Sequence, residues 1–459
     1  MPAQTLKRLL SHALPPIILL FMHKQGMKAF QPYVRDLQSL VERLIRDAST
    51  PKNRHRLTAA LNGQPADRLR FAVPLPERRA AGIFFTGAKL ARRVSNQLIS
   101  EIPPSAIIAD IGCGAGDLIL ACARKLPLAS DLNKTLELWG KHLMAFDIHP
   151  EFVNATKTRL VLLAISRKVP IGPSSISPLS DLFPMIRQHN FLSCPSEVAQ
   201  ATHIVINPPY YDRLAPPKCT WGNRKLSAAA LFIDACISNA SPGAEIAAIL
   251  PDVLRSGSYY DKWRQRIGSL SARTEITTCG QFDKCVDVHV FILKLLRNDS
   301  RKPAKATWWK SIRQPHNGKV KDYFGVHVGP VVPHRDPEEG PLVAYIHAKP
   351  LPPWGIVKRI NQRRRFKGTL FQPPFIAVRR TSRPGDKRAI GTIVTGKRKV
   401  AVENHLIVLL PNGKTIVQCQ ELLNVLKSPQ TDRWLDKRIR CRHLTTLSIK
   451  ELPWWRLQK

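Results

Sequence analysis

Acidic residues are scarce in this sequence of 459 residues. Asp and Glu together number 33, against 71 Lys and Arg, which leaves a net charge of +38 at pH 7. Because 44% of the residues are hydrophobic and only 23% are charged, this excess does not come from a disordered basic tail. A globular protein this basic most often binds a polyanion, and nucleic acid is the first candidate. An acidic membrane surface or a generally basic proteome are the alternatives.

Cysteine pairs and long apolar runs are also lacking. The 9 cysteines include no C-x-x-C pair and no Cys/His cluster with zinc-like spacing, which indicates reduced, intracellular thiols. An apolar run at residues 13–22 follows Lys7 and Arg8, as in a signal peptide, but it contains two prolines and no small-residue cleavage site. No run approaches membrane-spanning length. We therefore expect a soluble, cytoplasmic protein with no membrane partner.

The order of apolar segments predicts three domains. Residues 1–75 are basic, with helical spacing from Val34 to Ile45, and are expected to form a helical N-terminal cap. Residues 76–297 alternate helical stretches with continuous apolar strands, which predicts an α/β fold with a parallel sheet covered on both faces. The expected strands are residues 107–110, 143–147, 203–206, 245–250 and 288–293.

The third expected domain, residues 298–459, differs in composition from the rest. It begins with a plausible linker at residues 298–303 and contains short strands, such as residues 375–378 and 406–410. Residues 301–459 contain 33 Lys and Arg against 10 Asp and Glu, a net charge of +23, and the first 300 residues carry the remaining +15. A mixed α+β domain with this charge is expected to bind nucleic acid.

A glycine-rich loop follows the first expected strand. Gly112, Gly114 and Gly116 permit a tight turn and the close approach of a ligand to the backbone, and an apolar helix follows. This spacing by itself also fits a nicotinamide or flavin loop. Carboxylates in the loop, at Asp110 and Asp117, would repel a pyrophosphate but suit a cationic amino-acid group. They therefore favour S-adenosylmethionine (SAM) over a dinucleotide.

Asp147 ends the second expected strand. An acidic residue at this position can bind both hydroxyls of a ribose, as the carboxylate at the end of a second strand does in dinucleotide-binding folds. The alternative is that Asp147 caps the helix that begins near Pro150.

The most specific motif is Asn207-Pro208-Pro209-Tyr210, which directly follows an apolar strand. The side-chain oxygen of Asn207 and the carbonyl of Pro208 can accept both hydrogens of an exocyclic amine, whose delocalised lone pair otherwise makes it a poor nucleophile. Tyr210 offers a flat face for stacking a base. Methyl transfer then requires positioning and no metal. The alternative is a plain turn at the end of a strand.

From these motifs the chain resembles SAM-dependent DNA amino-methyltransferases. It is most similar to the gamma-type adenine-N6 enzymes of restriction–modification systems, in which a target-recognition domain follows a Rossmann-like catalytic domain. The resemblance implies that Phe85 and Thr86 contact the methionine end of SAM, although Gly87 replaces the usual Pro. It further implies that Asn190 binds the adenine amine of SAM and that Phe282 packs on the flipped base.

The resemblance also implies double-stranded DNA as the partner, in a prokaryotic, nucleoid-associated setting, with any cognate restriction endonuclease on a separate chain. The expected DNA-binding residues form two clusters, whose alternative is a solvated basic surface. They are Arg363, Arg364, Arg365 and Lys367, and Arg379, Arg380 and Arg383. Four other functions stay open: an RNA-base amino-methyltransferase, a cytosine-N4 DNA methyltransferase, a glutamine-methylating enzyme and a DNA-binding specificity module without catalysis.

Overall fold

The computed structural model describes residues 28–47, 50–98, 102–172, 176–283, 286–298, 308–309 and 316–455. The apolar run at residues 13–22 and residues 299–303 of the expected linker lie outside these ranges. The described residues form two units. The first contains those of Met1–Leu250, Gln265–Thr278 and Phe291–Ala306, and the second contains those of Pro251–Arg264, Cys279–Val290 and Thr307–Lys459. Residues 28–75 thus belong to the unit of the sheet, and two segments before residue 297 belong to the C-terminal unit.

Four helices begin the described chain and agree with the helical pattern expected there. They are α1 (Gln31–Arg46), α2 (Pro51–Leu61), α3 (Gln64–Ala72) and α4 (Leu75–Ala81). The buried face of α1 repeats at helical spacing and consists of Tyr33, Val34, Leu37, Leu40 and Leu44. Pro residues in the first turn suit the beginnings of all four helices, because their backbone N–H groups would have no partner there.

The next part of the chain forms a seven-stranded sheet and a small hairpin. The strands are β1 (Ile108–Ile111), β2 (Leu143–Asp147), β3 (Ile186–Gln188), β4 (His203–Ile206), β5 (Asp212–Leu214), β6 (Lys225–Ser227), β7 (Glu245–Pro251), β8 (Ser271–Asp283) and β9 (Val286–Arg297). The sheet order is β3-β2-β1-β4-β7-β9-β8, and β5 and β6 form the separate hairpin. The pairs β1–β2, β1–β4, β2–β3 and β4–β7 are parallel. All five expected strands of this region are confirmed.

Helices connect these strands. They are α5 (Ala88–Leu98), α6 (Asp117–Ala123), α7 (Leu132–His142), α8 (Pro150–Ser166), α9 (Leu179–Leu182), α10 (Ala228–Asn239), α11 (Asp252–Ser256) and α12 (Asp261–Ser269). Helix α8 is buried along most of its length, since it contacts α1 and α2 as well as β2 and β3. Within the ranges that the structure describes, no helix combines the length and apolar character needed to cross a bilayer.

The second unit has a mixed α+β composition, as expected. Its strands are β10 (His316–Lys319), β11 (Phe324–Val328), β12 (Leu342–Ile346), β13 (Ile356–Val357), β14 (Arg363–Arg365), β15 (Phe375–Arg379), β16 (Gly391–Val394), β17 (Val400–Val402), β18 (Leu406–Pro411) and β19 (Pro453–Trp455). Its later helices are α13 (Val320–Tyr323), α14 (Ile416–Lys427), α15 (Pro429–Arg438) and α16 (Thr446–Lys450). The largest sheet has the order β11-β18-β15-β16-β13. Its core includes Ile376, Ile407, Leu422 and Leu435.

Strand order brings the motifs of the first unit to one edge. The glycine loop follows β1, Asp147 ends β2, and Asn207 follows β4. Because β2 and β4 flank β1 in parallel, all three carboxyl ends meet at the same edge of the sheet. In open α/β sheets ligands bind at this edge, in the crevice beside the strand where the order reverses.

Candidate active site

The glycine loop is held by its neighbours on both sides. The backbone N–H groups of Gly112 and Cys113 donate to the Phe146 carbonyl at 2.8 and 2.9 Å, which ties the loop to the end of β2. Gly114 has φ +53°, and a Cβ built there would lie 2.8 Å from the ring of Phe85. A side chain at Gly114 would therefore displace the ring that covers this part of the loop.

Asp147 lies against the same loop. One carboxylate oxygen accepts a hydrogen bond from the Gly114 N–H at 2.9 Å, and the other accepts one from the His149 N–H at 3.0 Å. Burial raises the pKa of this carboxyl to about 6. The N-cap residue of α8 is His149, so the alternative of Asp147 as the helix cap is wrong. The next residue, Ile148, leaves 53% of its surface exposed, although it is apolar.

Asp110 lies behind the loop and supports it. Its carboxylate is fully buried, and one oxygen accepts a hydrogen bond from the Ile119 N–H in α6 at 3.0 Å. The other oxygen has no hydrogen-bond partner among the described residues. Burial raises the pKa of Asp110 to about 8. The carboxyl therefore holds the beginning of α6 against the end of β1.

Asp117 does not face a ligand, which corrects the expectation that its carboxylate suits a cationic group. It pairs with Arg159 at 2.9 Å, and both side chains are buried. Its second oxygen accepts a hydrogen bond from the Gly87 N–H at 2.7 Å. Arg159 also donates to the carbonyls of Ala60 and Ala115. This ion pair therefore connects α2, the glycine loop and the segment of residues 82–87.

Asn207 is fixed in orientation by the segment of residues 82–87. Its Nδ2 group donates to the Phe84 carbonyl at 3.2 Å and to Thr86 Oγ1 at 3.1 Å. The two contacts use the donor group of the amide, which leaves Oδ1 as its acceptor. The role of Thr86 in holding Asn207 could not be read from the sequence, because more than a hundred residues separate the two.

The hydroxyl of Tyr210 has two acceptors within reach. Asn207 Oδ1 lies 2.9 Å from it, and the Ile249 carbonyl lies 3.0 Å from it. A phenol carries a single proton, so it donates to only one of these oxygens at a time. Pro208 is buried and Tyr210 half-buried, which makes the loop after β4 a rigid part of the first unit.

The remaining expected cofactor residues lie near this edge with fewer contacts. Phe85 packs edge-on against Phe30 and Phe152, with ring centroids 5.9 and 5.1 Å apart. Asn190 is exposed and directly precedes the short 3-10 helix Phe191–Ser193. Phe191 lies 5.8 Å from Phe232 between ring centroids. Phe282 is half-buried on β8, in the part of that strand that belongs to the second unit.

The first basic cluster, residues 363–367, contains cations that bond to other residues as well as a cation that does not. Arg363 is exposed on β14, whereas Arg364 is buried and donates to Glu338 at 2.9 Å and to the Asp336 carbonyl at 2.8 Å. Arg365 is exposed and donates to the Gly340 carbonyl at 3.2 Å. Lys367 pairs with Glu339 at 2.8 Å.

The second basic cluster is divided in the same way. Arg379 donates to the Leu351 carbonyl at 2.8 Å. Arg380 donates to the carbonyls of Leu444 and Asn404, each at 3.4 Å. Arg383 is exposed. Within the part of the chain that the structure describes, Arg363 and Arg383 are the members of the two clusters whose guanidinium groups make no hydrogen bond or ion pair.

No protein-family model and no curated protein matches the chain. Among solved structures, it is similar to the type IIG restriction endonuclease BpuSI, with 14% identity over 86% of this chain and 60% of that one, at a TM-score of 0.41. It is also similar to DrdV in a complex with DNA, with 13% identity over 57% of this chain and 31% of that one, at a TM-score of 0.42. A third is a putative class I SAM-dependent methyltransferase from Listeria monocytogenes, with 15% identity over 61% and 90% of the two chains, at a TM-score of 0.35. The chain spans less than two thirds of the first two proteins, and similarity at this level assigns no activity to it.

Proposed function

We propose that the protein transfers a methyl group from SAM to the N6 amine of an adenine flipped out of double-stranded DNA. The observation that carries this proposal is the amide of Asn207, whose Nδ2 group two hydrogen bonds hold, so that its oxygen, 2.9 Å from the Tyr210 hydroxyl, is the acceptor at the end of β4. The glycine loop follows the neighbouring strand β1. An amine acceptor and a cofactor loop thus lie at adjacent strand ends.

The residues of this edge fit SAM. A Cβ built on Gly112 would meet no atom within 4 Å, so there is open space above the loop backbone. Asp147 lies at the end of β2, and each of its oxygens retains a lone pair for a ribose hydroxyl. Gly112, Gly114 and Gly116 would hold the cofactor along the loop. Phe85 and Thr86 would hold its methionine end, and Asn190 its adenine amine.

The chain's own residues orient the amine. SAM supplies an electrophilic methyl group on a sulfonium. Asn207 Oδ1 and the Pro208 carbonyl accept the two amine hydrogens, which directs the nitrogen lone pair out of the ring plane. Once Oδ1 accepts from the amine, the Tyr210 proton goes to the Ile249 carbonyl, 3.0 Å away. The ring of Tyr210 stays fixed throughout, so its face is available to the base.

Double-stranded DNA is proposed as the partner because of the basic charge and the demands of base flipping. Extruding a base costs a few kcal/mol, and phosphate contacts hold the duplex while it happens. Arg363 and Arg383 are the cluster members best placed for such contacts, since they are exposed and unpaired within the described residues. Phe282 would pack on the flipped base. A cognate restriction endonuclease would be a separate chain.

The test is a methyl-transfer assay with nucleoside mass spectrometry. Protein and SAM are incubated with duplex DNA and, separately, with total RNA, and each product is digested to nucleosides. N6-methyladenine from DNA alone is the expected product. Methylated RNA bases or N4-methylcytosine would replace the proposal with one of the open alternatives. No product from either substrate, over DNA containing all short sequence combinations and with SAM bound, would contradict it.

Substitutions at Asn207 and Thr86 separate catalysis from folding. Asn207→Ala is expected to lower kcat by on the order of 10³-fold with SAM affinity nearly unchanged, because it removes an acceptor of the reacting amine. Thr86→Val is expected to lower kcat about tenfold, since it frees the amide of Asn207 to rotate, and Thr86→Ser restores the hydroxyl and the rate. Loss of SAM binding in Asn207→Ala would assign Asn207 a structural role instead.

A further inference from the structure

The hairpin β5–β6 continues directly from residues 207–210, which we call the catalytic loop. Tyr211 follows Tyr210, and its carbonyl accepts a hydrogen bond from the Ala228 N–H at the beginning of α10, at 2.8 Å. At the far end of the ladder, the Ala215 N–H donates to the Arg224 carbonyl at 3.0 Å. Residues 211–227 therefore form a ribbon whose two ends are fixed beside Asn207 and α10. We call these residues the catalytic hairpin.

The catalytic hairpin is anchored at its base. Trp221 is buried, and its indole N–H donates to Asp234 of α10 at 3.2 Å. Leu226 is fully buried, and a Cβ on Gly222 would lie 2.6 Å from it. These contacts hold the backbone of the catalytic hairpin against α10, next to the loop that contains Asn207.

The exposed part of the catalytic hairpin carries an excess of positive charge. Residues 211–227 contain Arg213, Lys218, Arg224 and Lys225 against the single acid Asp212. Arg213, Lys218 and Arg224 are exposed, and none of the three forms an ion pair or side-chain hydrogen bond with the rest of the described chain. Some other cations of the first unit have acidic partners, for example Arg187 with Glu197 and Lys294 with Glu245.

An apolar side chain accompanies these cations. Leu214 leaves 72% of its surface exposed, and it pairs across the ribbon with Lys225. Cations beside an exposed aliphatic group match the two surfaces of a nucleic-acid strand, which are charged phosphates and apolar sugar and base edges.

We infer that the catalytic hairpin binds the phosphodiester backbone of DNA next to the target nucleotide. This inference rests on the proposed function and adds a contact site to it. Arg213, Lys218 and Arg224 each neutralise a phosphate of the strand that contains the flipped base. Since the ribbon is rigid and begins at Tyr211, these contacts fix the position of that strand relative to Asn207.

The experiment measures DNA affinity against salt for the full chain, with a 30-base-pair duplex and no SAM. The plot of log Kobs against log salt concentration has a negative slope, and each phosphate contact makes it steeper by about 0.9. The slope for the variant Arg213→Gln/Lys218→Gln/Arg224→Gln is therefore expected to be shallower than that of the wild type by about 2.7. Affinity for SAM, measured by calorimetry, is expected to stay unchanged because none of the three side chains is among the residues proposed to hold the cofactor.

A matched variant controls for the loss of net charge. Arg35→Gln/Lys52→Gln/Arg56→Gln removes three exposed cations of α1 and α2 that have no ion pair within the described residues, and its slope is expected to equal that of the wild type. An unchanged slope in the hairpin variant, an equal loss in both variants, or no DNA binding by the wild type would overturn the inference. Failure of the proposed function is distinguishable, because it would show as intact DNA binding without N6-methyladenine.

Discussion

The catalytic hairpin and the basic segment of residues 363–383 are both rich in Lys and Arg, but their cations have different surroundings. In the catalytic hairpin, Arg213, Lys218 and Arg224 are exposed and without acidic partners among the described residues. In the basic segment, Arg364 and Lys367 pair with Glu338 and Glu339, and Arg379 and Arg380 donate to backbone carbonyls. The density of basic residues in a sequence therefore does not measure the charge available to a polyanion.

Buried cations differ between the two units in the same way. Arg159 of the first unit is 1% exposed, and its partner Asp117 is 7% exposed. Arg364 of the second unit is 9% exposed, but Glu338 is 66% exposed. Water can therefore solvate Glu338 if its partner is removed, whereas the Asp117 carboxylate would stay buried without a cation to neutralise its charge. The comparison predicts unequal costs for the loss of the two arginines.

Removal of Arg159 has the largest expected effect. Arg159→Met leaves the Asp117 carboxylate buried and unpaired, which is expected to cost about 3–5 kcal/mol of unfolding free energy. Arg364→Met breaks a pair with a solvated carboxylate and is expected to cost about 1 kcal/mol or less from the pair itself. Denaturant unfolding of both variants measures the difference in unfolding free energy, and equal losses would contradict the unequal burial of the two carboxylates.

The packing against Tyr210, the residue before the catalytic hairpin, offers a second test, because two glycines with similar backbone conformations differ in their surroundings. Gly82 and Gly87 have φ +66° and +73°, but a Cβ on Gly82 would lie 2.7 Å from the Tyr210 nitrogen, whereas one on Gly87 would meet no atom within 4 Å. Both alanine variants share a strain of about 1 kcal/mol. Gly82→Ala is expected to lower kcat at least about tenfold, because the clash with backbone displaces the catalytic loop. Comparable kcat values in the two variants would contradict a close fit there.

The basic segment can be divided by the same salt-dependence measurement. Arg363→Gln/Arg383→Gln is expected to make the negative slope of log Kobs against log salt shallower by about 1.8, at about 0.9 per phosphate contact. Its melting temperature is expected to stay unchanged. Arg379→Gln/Arg380→Gln is expected to lower the melting temperature and leave the slope nearly unchanged. The reverse pattern would mean that the bonded cations bind DNA and the exposed ones do not.

The pH dependence of stability distinguishes two carboxylates, one in each unit. Burial raises the pKa of Asp110 from 3.8 to about 8, so the stability it contributes is present below pH 4 and is lost as pH rises towards 8. Asp110→Asn is expected to remove this decline. A hydrogen bond from the Val332 N–H lowers the pKa of Asp336 in the second unit, so its contribution is present above pH 4 and is lost on acidification. Asp336→Asn is expected to remove that loss, and identical pH profiles for all three proteins would contradict both assignments.

The strands and loops of the first unit could be predicted from sequence because the signals are local. Each buried strand is a continuous apolar run, and the glycine loop and the Asn207 motif directly follow such runs. The partners of their side chains could not be predicted. The sequence predicts that the Asp117 carboxylate suits a cationic ligand group, but its cation is Arg159 of α8, 42 residues away in the chain. Contacts over such separations depend on packing, which periodicity does not encode.

The inward orientation of Arg364 had a local signal. Successive side chains of a strand alternate between its two faces, so the middle residue of Arg363-Arg364-Arg365 points away from the face of its neighbours. If these residues are assigned to a strand, Arg364 is expected on the opposite face from Arg363 and Arg365. The short strands of the second unit offered few such cues, since their apolar runs are brief and interrupted by proline and glycine.

Asn207 is proposed to hold an adenine amine of DNA for methyl transfer. The most direct measurement is the SAM-dependent formation of N6-methyladenine in duplex DNA, by the wild type and by Asn207→Ala under identical SAM saturation. N6-methyladenine is expected with the wild type, and on the order of 10³-fold less of it with the variant. Equal yields from the two proteins, or methylation confined to RNA, would contradict it.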